Sequence, residues 1–240
     1  MTLRGGGITR ETHKMTTFNR RAALATLGAA AAAPLSAHSL QEFEDEFYPR
    51  EEYFQALDKP VPDFTLSDAA GKLVHPVDFL GKVVVLHFIY SKCTDVCPLH
   101  AEKLAEVQKM INQTPMINMV QFVSITTDPK NDTAEVLKAY GPQHGLDPVN
   151  WKFLTIAPGQ PEDTSRTLAE AFGHKFTVES DGTITHGIVT HIIGKFGRWQ
   201  GNFHGLEFQS VNMLMFVNAL TNDYDKPVEP GFWDRVWGWF

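Results

Sequence analysis

The chain has 240 residues, with 28 acidic against 21 basic side chains and a net charge of −7. A 43% hydrophobic and 20% charged composition suits a folded chain with a real core and excludes a disordered one. The acidic balance excludes the basic footprint of a nucleic-acid binder. Two cysteines exclude a multi-disulfide scaffold and an all-cysteine zinc site, but they stand only four positions apart, so thiol chemistry stays open.

The chain opens on an address rather than a fold. Asn19-Arg20-Arg21 precedes an uncharged, alanine-rich run from Ala22 to Ala37, shorter than the roughly 18–20 apolar residues a spanning helix needs. Paired arginines, a weakly apolar centre and small residues at its end read as a twin-arginine-type export signal over residues 1–39, cleaved near Ala37 to Ser39 and leading to the periplasm. Met15 is an alternative start, and an uncleaved anchor is the competing reading. Residues 1–37 carry Arg4, Arg10, Lys14, Arg20 and Arg21 against Glu11, so their removal takes the net charge from −7 to −11. The compartment reached is oxidising, so two neighbouring thiols there need a reason to be reduced.

Residues 40–59, acidic and aromatic from Glu42 to Phe54, read as a tether, with a short helix as one form of it. A domain follows over residues 60–222. Val83 to Tyr90 is an apolar, β-branched run and reads as a buried strand. Leu99, Leu104, Val107 and Ile111 give Cys97 to Ile111 a helical spacing, and Val120 to Thr126 is a second buried strand. A helix capped at Asp132/Thr133 runs to Tyr140 and is stopped by Gly141-Pro142. Trp151 to Ile156 is a third strand, and Glu162 to Phe172 a third helix ended by Gly173. Gly187 to Ile193 and Arg198 to Phe203 flank the turn Gly194-Lys195-Phe196-Gly197 as a hairpin, and Leu206 to Leu220 is a closing helix. This order predicts an α/β domain with a mixed central sheet and helices on both faces. The tail, residues 223–240, ends in Trp233, Trp237, Trp239 and Phe240. It reads either as a cap on the domain or as a membrane-surface contact.

The chemistry concentrates in Cys93-Thr94-Asp95-Val96-Cys97-Pro98, where the first buried strand hands over to the first helix. Ligands bind at the carboxyl ends of strands in open α/β sheets. The N–H groups of a helix start favour the thiolate, which is both nucleophile and metal ligand. A helical turn beginning at Cys93 would put both sulfurs, exposed, on one face. Two soft sulfurs suit Cu(I) and zinc better than hard cations. A plain structural disulfide is the blander reading, though so small a loop restrains the unfolded chain little.

A third ligand must come from elsewhere among ten histidines. His87 reads as packed within a strand, and His75, His144 and His174 fall in turns. His100, three residues past Cys97, is near in sequence; His186, His191 and His204 lie in or beside the late hairpin. Spacing alone does not choose.

With these residues in view, the stretch from about Pro60 to Leu220 resembles the Sco/SenC family of copper chaperones for cytochrome c oxidase. The resemblance is carried by Cys93-Thr94-Asp95-Val96-Cys97-Pro98, then Thr127-Asp128-Pro129-Lys130-Asn131-Asp132-Thr133, then His186 ahead of an apolar strand and a Gly-x-x-Gly turn. It implies a thioredoxin-like three-layer fold with an added β-hairpin. It also implies one copper held by Cys93, Cys97 and His186, as Cu(I), or as Cu(II) with a further ligand. Asp128 matches a family position near the site, with a supporting or partner role, and Asp95 matches the acidic residue between the cysteines. Helix capping is the simpler reading of Asp128 and Asp132. Thr185 and Gly187 replace the family's usual neighbours of the histidine, and Thr94 replaces a common proline. The first two bear on how His186 is oriented and keep His191 and His204 as reserve ligands. The implied function is delivery of copper to the CuA site of the cytochrome c oxidase copper subunit or a related copper enzyme, with a thiol reductant protein keeping the pair reduced. The alternative is an enzyme, a thiol–disulfide oxidoreductase acting on the oxidase subunit's cysteines.

Overall fold

The computed structural model describes residues 51–94, 96–178 and 184–222. The expected export signal, residues 40–50 of the expected tether, Asp95 and the aromatic tail lie outside them. Among the described residues, no helix is long and apolar enough to cross a membrane.

The elements in order are β1 (Phe54–Pro60), β2 (Leu66–Asp68), β3 (Leu73–Val74), β4 (Val83–Ile89), α1 (Val96–Asn112), β5 (Val120–Thr126), α2 (Ala134–Gln143) and β6 (Trp151–Ile156). Then come α3 (Thr164–Ala171), β7 (Phe176–Val178), β8 (Ile184–His186), β9 (Val189–Ile193), β10 (Arg198–His204) and α4 (Ser210–Thr221). One eight-stranded sheet runs in the order β1-β10-β9-β4-β5-β6-β2-β3, and β7 and β8 form a separate two-stranded ribbon. Strands β4, β5 and β6 are parallel; the flanking pairings are antiparallel.

All seven residues of β4 and of β5 are buried, as strands covered on both faces must be. Alternation then sorts their side chains. Val83, Val85 and Ile89 join Val120 and Phe122 against α1 (Leu104, Val107, Ile111) and α4 (Met213, Phe216, Val217). Val84, Leu86 and Phe88 face the other way, onto Leu168 and Phe172 of the α3 region and onto Trp199. The result is the expected mixed sheet between helical layers.

Three local expectations are corrected. Residues 54–59, read by composition as tether, belong to an edge strand that pairs with β10, Phe54 opposite Phe203, with a register shift between Ala56 and Lys59. Phe54 packs on Phe203 and Phe216, with ring centroids 4.9 and 4.6 Å away. Just upstream, the buried Glu51 carboxylate accepts from Gln209 N–H (3.0 Å) and Asn212 Nδ2 (2.7 Å), serving as the negative group at the start of α4. Second, α2 does not stop before Gly141-Pro142 but runs through both. Pro142 removes only one late bond, and the chain recloses through His144 N–H to Tyr140 and Gly141 oxygens. Third, β7 and β8 were not anticipated; they are the short hairpin that ends in His186. Gly173, at φ +89°, lets the chain leave α3, with His174 N–H returning to Ala169 O at 3.0 Å.

Gly141 has no room to grow. A Cβ there would lie 2.2 to 2.7 Å from the Trp151 ring, which Ser124 holds through Nε1 at 2.9 Å. Alanine's helix preference, worth about 1 kcal/mol over glycine, is therefore outweighed by overpacking. Gly141→Ala is expected to lower unfolding free energy by about 1–3 kcal/mol in urea denaturation, rather than raise it.

Candidate metal centre

Strand β4 ends at Ile89, and the chain turns sharply: Cys93 N–H bonds Tyr90 O at 3.1 Å. Helix α1 starts at Val96 rather than at Cys93, so Cys93 precedes the first turn and Cys97 lies within it. The sulfurs still converge. Cys97 N–H donates to Cys93 Sγ at 3.4 Å, so the sulfur takes one of the N–H groups a helix start leaves over. The two cysteines are not joined by a disulfide. They are also not exposed, as the sequence suggested: Cys93 is 8% and Cys97 4% accessible, beneath the strand-to-helix corner.

That burial governs the electrostatics. Removal from water pushes the Cys97 thiol far above its usual range; the Tyr90 backbone N–H opposes this, and Cys93 and the Asp132 carboxylate reinforce it. The Tyr90 phenol is pushed up to about 12, first by burial, then by the charge of Cys93 and a hydrogen bond with it. Tyr140, on α2, is raised by burial and then by Cys97, Cys93 and Asp132, and its hydroxyl is buried without a hydrogen-bond partner among the described residues. Burial, the largest cause for each of these groups, opposes any bare charge at the pair, and the neighbouring carboxylates add to the resistance against a negative one.

The loop after β5 completes the wall. Asp128 accepts from Asn131 Nδ2 at 2.8 and 3.0 Å, and it contributes to raising the Tyr90 phenol. Asn131 in turn accepts from Lys92 Nζ at 2.7 Å. Asp132 is not the helix cap that the sequence suggested; Thr133 holds that position and accepts from Val136 N–H. Asp132 is instead a carboxylate only 1% accessible, bonded by Ser91 and Thr126. A hint of this was present in the sequence: Thr133 already supplied the cap, leaving Asp132 without that task.

Among the described side chains, no three His, Cys, Asp or Glu residues form a metal-holding cluster. His186 closes β8 opposite Phe176, and its ring, like all of Asp95, lies outside the described structure. The other histidines are engaged elsewhere. His100 Nε2 and Thr190 Oγ1 are 2.7 Å apart, and the His100 ring stands edge-on to His87, itself bonded to Ser124. His204 reaches Gln55 Oε1 on the β1 edge at 3.2 Å. His191 is fully buried on the opposite face. Its Nδ1 lies 2.8 Å from Asn202 Oδ1, which also accepts from Trp199 Nε1, and its Nε2 lies 2.9 Å from His174 Nε2. Asn202 Oδ1 only accepts, so His191 carries its proton on Nδ1 and receives the His174 N–H at Nε2. The structure thus gives both reserve ligands other work.

Mixed sheet, flanking helices and a thiol pair at the strand-to-helix corner define a thioredoxin-like thiol protein. The chain belongs to the SCO1/SenC family, whose model matches residues 55–221. The match begins within β1, in keeping with an edge strand there. The mitochondrial SCO2 homolog of Bos taurus is 37% identical over 78 residues, 32% of this chain and 29% of that protein. This chain therefore covers less than a third of the length of that mitochondrial relative. A SCO2-like protein of Rickettsia conorii is 31% identical over 159 residues, 65% of this chain and 74% of that one. Among solved structures, the SCO1/SenC family lipoprotein of Bacillus anthracis superposes with a TM-score of 0.63 at 26% identity, over 70% of this chain and 98% of that one. Yeast Sco1 with copper bound has the same fold, with a TM-score of 0.57 at 21% identity over 76% of this chain and 99% of that one.

The His191 geometry sets a pH dependence. A second proton would have to sit on Nε2, facing the His174 N–H in a buried site, so His191 is held well below its usual value by burial first and His174 second. Unfolded, the ring titrates near 6.5. Stability is thus complete above that pH and falls as pH drops below it, by about 1.4 kcal/mol per unit for this one group. Urea denaturation at neutral and mildly acid pH should show the decline, and His191→Gln should flatten it.

Proposed function

We propose that this protein binds one copper ion per chain through Cys93, Cys97 and His186 and delivers it to the CuA site of cytochrome c oxidase, or to a related copper enzyme. The observation that carries the reading is the meeting of two unbridged sulfurs at the β4–α1 corner, where Cys97 N–H donates to Cys93 Sγ. Family relatives support it. Yeast Sco1 was solved with copper bound, and BsSco is a member of the Sco family of cytochrome c oxidase assembly proteins with a disulfide switch.

Copper is here the cargo. As Cu(I) enters, each thiol gives up its proton and two sulfurs with one imidazole complete a three-coordinate site; Cu(II) takes an added ligand. Burial of both sulfurs shields them from bulk water, so exchange passes to a recipient cysteine that docks at the corner. Oxidation to a disulfide removes both thiolates and closes the site to copper. Asp128 keeps the neighbouring loop in place through Asn131, and Asp95 falls between the two ligands in the sequence. The setting is the periplasm, after twin-arginine export, with the aromatic tail touching a membrane surface.

A second reading, a thiol–disulfide oxidoreductase, is favoured by the Cys97 N–H on Cys93 Sγ. Cys93 would attack a partner disulfide and release one partner thiol. Cys97 would then attack Cys93, form the internal disulfide and release the second. A thiol reductant protein would restore the pair.

Copper titration of the reduced protein separates the two. Delivery predicts close to one Cu(I) per chain with micromolar or tighter affinity, lost in Cys93→Ala and Cys97→Ala. His186→Ala should weaken binding at least about tenfold and alter the Cu(II) spectrum. Absence of stoichiometric binding overturns delivery and leaves the redox reading; an unchanged spectrum in His186→Ala removes that histidine from the ligand set. Deletion of residues 231–240 should shift the protein from membrane to soluble fractions.

A further inference from the structure

The turn that carries Cys93 is held from outside its own segment. Ser91 donates its backbone N–H to both oxygens of Asp132, each at 3.2 Å, and its hydroxyl to Oδ1. Thr126, the last residue of β5, donates its hydroxyl to Oδ2. The same hydroxyl oxygen accepts Asp128 N–H at 2.9 Å, and Asp132 N–H returns to Asp128 O at 3.0 Å. Asp132 is therefore the point where three pieces meet: the turn after β4, the end of β5 and the entry to α2.

The environment of this carboxylate is unusual for a structural residue. It is 1% accessible, and no lysine, arginine or histidine pairs with it among the described residues. A buried charge without a counter-ion is tolerated only when its oxygens are saturated by well-placed donors. Two of the donors here come from one residue, Ser91, two positions before Cys93. A neutral capping residue would serve α2 equally well, and Thr133 already does. The charge is thus aimed at the turn, not at the helix behind it.

We infer that Asp132 is a positioning residue that acts through Ser91, fixing the turn so that the Cys93 sulfur is held against Cys97. This deepens the reading of the pair as the working site, but does not depend on which metal or partner it serves. Two sulfurs held in advance close a bond or a chelate without first ordering the chain.

The experiment uses the full chain with glutathione as the probe, so it stands whether or not copper binds. One glutathione disulfide oxidises Cys93-SH and Cys97-SH to the internal disulfide and is itself reduced to two glutathione thiols. The equilibrium constant of that exchange reports how well the sulfurs are pre-positioned. Ser91→Ala leaves the carboxylate in place and should lower the constant about tenfold to a hundredfold, the usual weight of hydrogen bonds to a charged group. Ser91→Thr, which keeps the hydroxyl, should restore it to within about threefold of the parent on the same scale. Asp132→Asn should match Ser91→Ala, and the double variant should be no worse than either, because both remove one device. Thermal melting is measured alongside. A constant unchanged in Ser91→Ala while the melting temperature falls, or additive losses in the double variant, would overturn the inference and reduce the contact to ordinary stabilisation.

Discussion

The site depends on coverage of β4 from both sides. Its seven residues from Val83 to Ile89 are all buried, so the strand cannot slide or twist relative to β5 and β9 without emptying two layers of core. Residue pairing runs unbroken from Val83 opposite Val120 to Ile89 opposite Thr126. The chain must leave the sheet at Tyr90 and can bury the apolar face of α1 only by turning back over the same strand. Cys93 and Cys97 stand at that reversal. Their meeting is a by-product of sheet register as much as of the four-residue spacing.

Around this corner the protein accumulates groups that dislike added negative charge. Tyr90 follows the end of β4, Tyr140 comes from α2 and Asp132 from the entry to α2, while Cys97 sits in the first turn of α1. The helix start contributes N–H groups, yet burial wins over that favourable field at Cys97, because the dipole effect is typically under 1 kcal/mol while desolvation of a fully buried ion moves equilibria by several. Histidines are handled differently. On the α1 face, His87 and His100 are tied to Ser124 and Thr190; on the other face, His191 and His174 share a proton-bearing contact backed by Asn202 and Trp199. Buried imidazoles here are struts between strands and helices.

Much of the architecture was legible because it follows from runs of apolar residues. The limits of β5 and β6, the hairpin of β9 and β10, and the glycine exit from α3 match the pattern of the chain closely. The failures share a cause: each concerns a contact between residues far apart in sequence. Residues 54–60 are half exposed and charged at Asp58 and Lys59, so nothing local marks an edge strand; the signal is Phe54 meeting Phe203 and Phe216. The short pairing of β7 with β8 offered three residues on each side, too few for periodicity. Asp132 looked like a cap because it stands beside one, and only the partner forty-one positions upstream reveals its task. Burial of the two cysteines was likewise invisible, since a Cys-x-x-x-Cys spacing carries no information about what lies above it.

The outermost strand has a practical bearing. β10 is a seven-residue strand that carries Trp199 and Phe203, and on its outer side it pairs with β1. A fragment trimmed to begin at Pro60 would strip that border, unseat Phe54 from two aromatic neighbours and take away the Glu51 carboxylate that steadies the start of α4. The bared margin would present unmet amide and carbonyl groups beside large apolar rings, the arrangement that drives chains to zip onto one another. Working fragments of this protein should therefore be cut upstream of Glu51.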